Sequence, residues 1–473
     1  MSWQNHRAKD PALAAGRSRP ARLLAVSGLA VLAGVVLPAP PAQAATTHVK
    51  CSVADLVDAV RTANSSPGSD ALHLAANCTY RLVVPDRDNP ANGLPEVTSD
   101  ITVEGHGATI TRDTSAPAFR ILFVDRPGTL TLNKTTISGG KATTTDCPLF
   151  PGQGTCGGGI LNAGTMTVNK SRVINNIATS ELFAQGGGID NEGTGTLNDT
   201  EVSGNTVDYT GTVRGFAPGG GIAADGPLTV NHSRLHHNTV RVPAGTNSQS
   251  EAAGLATWAD STVNHTVISD NHASAPGGIA RGALVNNAQP PAKMTVVDTV
   301  IRDNTNSAPG GLATGGGTAT TRTTTLTRTR IIGNHTTAPD GGTARGGGLS
   351  IGAFANFTLI DSLVQGNRAS APGGGTARGG GTSNPLGGTL TIDRSRISNN
   401  TAAASDGGTA QGGGHFNELG STTLNHSTVT GNHAGDGGGI FEESGTVTLN
   451  DTVVKGNHPN NCAPPNTVSG CTN

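Results

Sequence analysis

The chain has 473 residues, 31 basic and 33 acidic side chains and a net charge of −2. Glycine supplies 68 residues, roughly twice its usual share, whereas Trp, Tyr and Phe together make up only 3%. So little aromatic bulk argues against a Rossmann fold, a barrel or a helical bundle; no Gly-X-Y period supports collagen, and regularly recurring Val, Ile and Leu at low net charge argue against disorder.

In chain order, Arg7, Lys9, Arg17, Arg19 and Arg22 precede an apolar run from Leu23 to Leu37. Ala42-Gln43-Ala44 then offers a small-x-small cleavage site, so residues 1–44 are expected to be a secretory signal peptide. The run is too short for a comfortable membrane span. Removing 1–44 leaves 26 basic and 32 acidic side chains, a net charge of −6. That balance gives no footprint for nucleic acid. Export favours disulfides, and the six cysteines are expected to pair locally: Cys51–Cys78, Cys147–Cys156 and Cys462–Cys471. None forms a CxxC pair, so neither metal nor other cofactor is expected.

Residues 45–125 read as an N-terminal cap and first coils. Ser52-Val53-Ala54-Asp55 fits a capping box. Val53, Leu56, Val57 and Val60 follow at helical spacing, and Asn64-Ser65-Ser66-Pro67-Gly68 ends the helix. Residues 126–460 are repeats, and 461–473 are expected to cap the far end.

The repeats start at triplets such as Gly157-Gly158-Gly159, Gly186-Gly187-Gly188 and Gly346-Gly347-Gly348, mostly 29 to 34 residues apart. Such a period signals a stacked array. Within a unit, apolar residues alternate, as at Met166, Val168 and Val173, which predicts short strands. Three strands per turn, one after the Gly run, one at x-Thr-Val-Asn and one near Ser-Arg-Val-Ile-Asn-Asn, predict a parallel β-helix with coils about 4.8 Å apart. Asn176, Asn205, Asn238, Asn271, Asn304, Asn334, Asn367, Asn400, Asn432 and Asn457 share one position, and an amide ladder holding a turn is expected there.

Gly157-Gly158-Gly159-Ile160 followed by Val173-Ile174-Asn175-Asn176 resembles the GGAI/FxxN repeats of polymorphic outer membrane proteins. Leu56-Val57-Asp58-Ala59-Val60 with Ala63-Asn64 and Pro67-Gly68-Ser69-Asp70 is similar to the segment that opens many secreted bacterial β-helix proteins. The resemblance covers about residues 51–460. It implies an all-β, single-stranded, right-handed parallel β-helix with a small helical cap, at a secreted or surface location.

Several residues stand out chemically. Some β-helix proteins cleave acidic polysaccharides, but only Gly105-His106-Gly107 fits their signatures, and it precedes the repeats. Glu192, Asp225 and Trp258 occupy one position in three successive units. Two carboxylates about 5 Å apart suit a retaining glycosidase, and Trp258, with Tyr209 and Phe216, suits stacking on a sugar ring. Glu418 and Glu443 form a second such pair. Thr131, Thr167 and Thr196 belong to a threonine column that is filled in eleven units, and with a second column two residues earlier, broken at several units, it resembles an ice-binding grid. Arg345 and Arg378 repeat in Thr-Ala-Arg-Gly-Gly-Gly and suit an anionic glycan.

The leading expectation is a secreted, monomeric extracellular or cell-surface protein, non-catalytic and adhesive or glycan-binding. Its partner would be an extracellular polysaccharide or cell-surface glycan, with no nucleic acid and no stable membrane span. The alternatives are a polysaccharide lyase or glycoside hydrolase, and a structural spacer or ice-binding solenoid.

Overall fold

The computed structural model describes residues 45–473 apart from 144–146, 150, 153 and 246. The expected signal peptide lies outside the described residues. The fold is a β-solenoid built from parallel stacked strands. One coil illustrates the path. From Gly186 the chain forms strands Ile189–Asn191, Thr194–Asn198, Glu201–Ser203, Thr206–Tyr209 and Phe216–Pro218. Each pairs with its equivalent in the next coil, as in Ile189↔Ile222 and Phe216↔Gln249. The five strand positions build sheets I to V in that order, of 12, 14, 13, 9 and 7 strands. A two-stranded sheet, Thr155–Cys156 with Ala184–Gln185, precedes sheet V at the same place in the coil.

Sheets I, II and III are the three strands per turn expected from the repeats. They enclose the main core, where like residues stack on like. Leu132, Val168, Leu197, Val230 and Val263 form one fully buried column of sheet II; Val173, Val202, Leu235 and Ile268 form another of sheet III. Each such side chain contributes roughly 1.5–3 kcal/mol on burial. Sheets IV and V are additional. They close on one another in a separate lobe whose core is mostly alanine: Ala178, Ala273 and Ala369 from sheet IV, Ala280, Ala313, Ala344 and Ala377 from sheet V. A methyl group lets two short strands approach closely and leaves little hydrophobic alternation to read in the sequence.

The glycine runs make the corner between sheets V and I. Gly186 has φ +62°, and a Cβ on Gly187 would stand 2.4 Å from the carbonyl oxygen of Gly220 in the next coil. The corner therefore needs both left-handed backbone and coil-to-coil contact that no side chain permits.

The ten column asparagines lie inside the solenoid. Each backbone N–H and each side-chain Nδ2 of Asn176 to Asn432 donates to Oδ1 of the next, as from Asn205 to Asn238 at 3.0 Å for both. Nδ2 also donates to a carbonyl of the preceding coil, Val173 O for Asn205 at 2.9 Å. The ladder ends where Asn457 donates to Oδ1 of Asn461.

Both ends are covered. Helix α1, Val53–Ser65, begins at Ser52, whose hydroxyl accepts from Asp55 N at 3.4 Å, and buries Leu56, Ala59, Val60 and Ala63. At the other end Asn473 accepts from Cys462 N at 2.7 Å and donates to Cys462 O at 2.9 Å, satisfying backbone groups of the last strand of sheet I. The disulfides are Cys51–Cys78, Cys147–Cys156 and Cys462–Cys471.

Candidate functional site: the corner groove

Because the chain turns sharply at each glycine run, the outer faces of sheets V and I meet in a concave corner. Two side-chain columns line it. Sheet V contributes Glu251, Arg281, Thr314, Arg345, Arg378 and Gln411 in register. Sheet I contributes its middle residues, including Asp190, Ala223, Ala256, Val285, Ala319 and Ser350. The turn after sheet I supplies the rim.

That rim carries the sequence-predicted triad. Glu192 N bonds to Asn162 O, Asp225 N to Asn191 O and Trp258 N to Ala224 O, at 2.8–2.9 Å. The same backbone position continues through Asn287 and Thr321. Glu192 is buried, and its Oε1 accepts from Leu149 N at 3.2 Å, in the loop closed by Cys147–Cys156. Asp225 is half-buried and accepts from Gln185 Nε2 at 3.0 Å. A third carboxylate escaped the sequence reading. Asp190 is fully buried, and neither of its oxygens has a hydrogen-bond partner. Strand alternation places it on an outer face, which reads as solvated; the neighbouring chain covers it instead.

Burial dominates the electrostatics of this end. It pushes the Asp190 carboxyl well above its ordinary value, with the charges of Asp225 and Glu192 adding to the effect. It raises Glu192 to about 7, against the opposing hydrogen bond from Leu149. Asp225 is also raised by burial, against the Gln185 amide. Packing acids together in a dry site disfavours their charged forms. One cluster of metal-ligand type includes Glu192, but its other members, Cys147 and Cys156, are joined in a disulfide.

Of the three expected aromatic contacts, two belong to the groove. Trp258 is half-buried, packs on Ala252, Ala256, Val285 and Ala319, and meets Phe216 edge-on with centroids 6.0 Å apart. Phe216 in turn stacks on Phe183 at 6.0 Å. Tyr209 does not join them. It is 1% exposed within the alanine lobe, and its hydroxyl donates to Val213 O at 2.8 Å. Its place on the inward phase of a sheet IV strand withdraws it from any ligand.

Beyond Trp258 the groove deepens into a pocket of about 310 Å³, floored by Val285 and Ala319 and flanked by Arg281, Arg322 and Arg345. Farther on, Glu418 and Glu443 are bridged by Arg378, at 3.1 and 3.3 Å, and Arg378 lies over the Phe416 ring at 4.8 Å. An ion network thus explains that second carboxylate pair.

The threonine column runs along sheet II, away from this corner, as in Thr131↔Thr167↔Thr196. Comparison of the chain with family models, curated proteins and solved structures returns no significant match.

Proposed function

We propose that this is an extracellular glycan-binding solenoid whose ligand lies along the corner groove. One observation carries the reading: Trp258 packs on Val285 and Ala319, and the same two residues line an adjoining pocket of about 310 Å³. An apolar floor with a few convergent polar groups is the usual make-up of a small-molecule site. A groove that crosses coils in steps of about 4.8 Å suits a polymer better than a compact ligand. Three disulfides and no free cysteine among the described residues suit an oxidising compartment. No helix among the described residues is long and apolar enough to cross a membrane. The test is binding of the secreted chain to immobilised oligosaccharides, with Trp258→Ala beside wild type. Retention by wild type and loss in the variant are expected; equal retention by both would move the ligand elsewhere.

A second reading, cleavage of the bound glycan, has its own support. Glu192 near 7 beside a raised Asp225 is a pairing suited to general acid chemistry. Glu192→Gln separates the two readings. A turnover that disappears in this variant while binding persists would establish an enzyme, and absence of turnover in wild type would remove it.

A further inference from the structure

The groove is not electrically uniform. The pocket lining holds three guanidinium groups and no carboxylate. Among the described residues only Arg281 of the three forms an ion pair, with Glu251 at 3.3 Å. Glu251 is itself buried and also accepts from Asn287 Nδ2 at 2.8 Å, so that charge is already engaged. Arg322 donates to neutral groups, the Thr321 carbonyl at 2.9 Å and Gln289 Oε1 at 3.1 Å. Among the described residues no carboxylate oxygen forms an ion pair with Arg322 or Arg345. The nearest acids to Arg345, Glu418 and Glu443, are both held by Arg378. The Nε atoms of Arg322 and Arg345 are buried and have no hydrogen-bond partner. A guanidinium left part-buried without a counter-charge is costly, and its planar fork matches an anionic oxygen pair. Burial also pushes the Arg345 guanidinium below its ordinary pKa, which an anion in the pocket would reverse.

We infer that this pocket is a subsite for a sugar residue bearing an anionic group, held between Arg345 and Arg322 over the Val285–Ala319 floor. The inference rests on the glycan-binding reading and adds the ligand class. The apolar floor takes the face of the sugar ring, as the Trp258 end does, while the guanidiniums select the charged substituent. A carboxylate and a sulfate ester share this chemistry.

The experiment is calorimetric titration of the secreted chain with four probes: a uronic acid tetrasaccharide, its methyl ester, a sulfated oligosaccharide and a neutral tetrasaccharide. The acid or the sulfated probe is expected to bind roughly tenfold or more tighter than the uncharged ones, as charge-assisted bonds to Arg allow. Preference for one of the two names the anion. Arg345→Gln and, independently, the rim variant Arg322→Gln are expected to erase that preference, weakening the charged probe far more than the methyl ester. Folding of each is checked by its far-ultraviolet spectrum, and either variant alone suffices. Binding of the acid and the sulfated probe no tighter than that of the ester and the neutral probe would overturn the anionic subsite and leave glycan binding standing. Binding of none of the four would overturn both.

Discussion

Replacing Asn271 by Ala should test the amide ladder most sharply. In the native chain Oδ1 of Asn271 accepts from Asn238 N and Nδ2, both at 3.0 Å. Its own Nδ2 donates to Leu235 O at 3.0 Å and to Asn304 Oδ1 at 2.9 Å. Truncation strands the Asn238 N–H and one amide hydrogen of its side chain inside the core. A buried donor left without a partner costs about 1–3 kcal/mol, so the two together predict roughly 3–5 kcal/mol, with a small cavity added. The Asp variant should do no better at neutral pH, because a carboxylate cannot donate to Leu235 O and faces the Asn304 oxygen. The assay is urea unfolding followed by circular dichroism, paired with hydrogen exchange across the array. In a solenoid, stability is passed between neighbours; exchange should therefore accelerate most in the coils around Asn238 and Asn304. A loss below about 1 kcal/mol for Asn271→Ala would refute the claim that the ladder holds the coils together.

The remaining predictions concern pH. Glu192 titrates at about 7 in the fold against an ordinary 4.5. The stability linked to its raised pKa is complete below 4.5 and is lost as pH rises to about 7. The gap corresponds to ~3 kcal/mol, so Glu192→Gln should raise stability by about 2–3 kcal/mol at pH 8 and have little effect at pH 4; the same gain at both would refute the burial argument. His415 behaves oppositely. It is fully buried between Thr382 Oγ1 at 2.8 Å and Thr422 Oγ1 at 3.1 Å, and burial lowers it from 6.5 to about 3. The fold holds the neutral ring, so the associated stability is complete above 6.5 and is lost as pH falls towards 3. The stability difference between wild type and His415→Gln should therefore drop by about 1.4 kcal/mol per pH unit through that window. A difference independent of pH would show that the ring is hydrated.

The main architecture was legible because a solenoid repeats its physics in every coil. Glycine triplets, bulky alternation and the asparagine column each recur at one period, and sheets I to III follow from them. Sheets IV and V leave weaker marks, since Ala344 and Ala377 look like ordinary loop residues until two such strands face each other. The same weakness hid most of the groove. Arg345 and Arg378 were visible as a repeated motif, but Arg281 sits in a divergent copy and Arg322 in a turn. Glu192, Asp225 and Trp258 were found by counting from the glycine run, because backbone register preserves that count. Tyr209 departs from its expected place because it ends a sheet IV strand, Thr206–Tyr209, whose inward phase the repeat pattern does not reveal. Asp190 was missed because covering chain can bury a nominally outer face.

The most direct test of the corner groove as the ligand surface is a crystal structure of residues 45–473 with the tightest-binding oligosaccharide of the titration panel. The account predicts sugar density against Val285 and Ala319, with an anionic substituent between Arg345 and Arg322. Density on the threonine face of sheet II, with the corner empty, would contradict it.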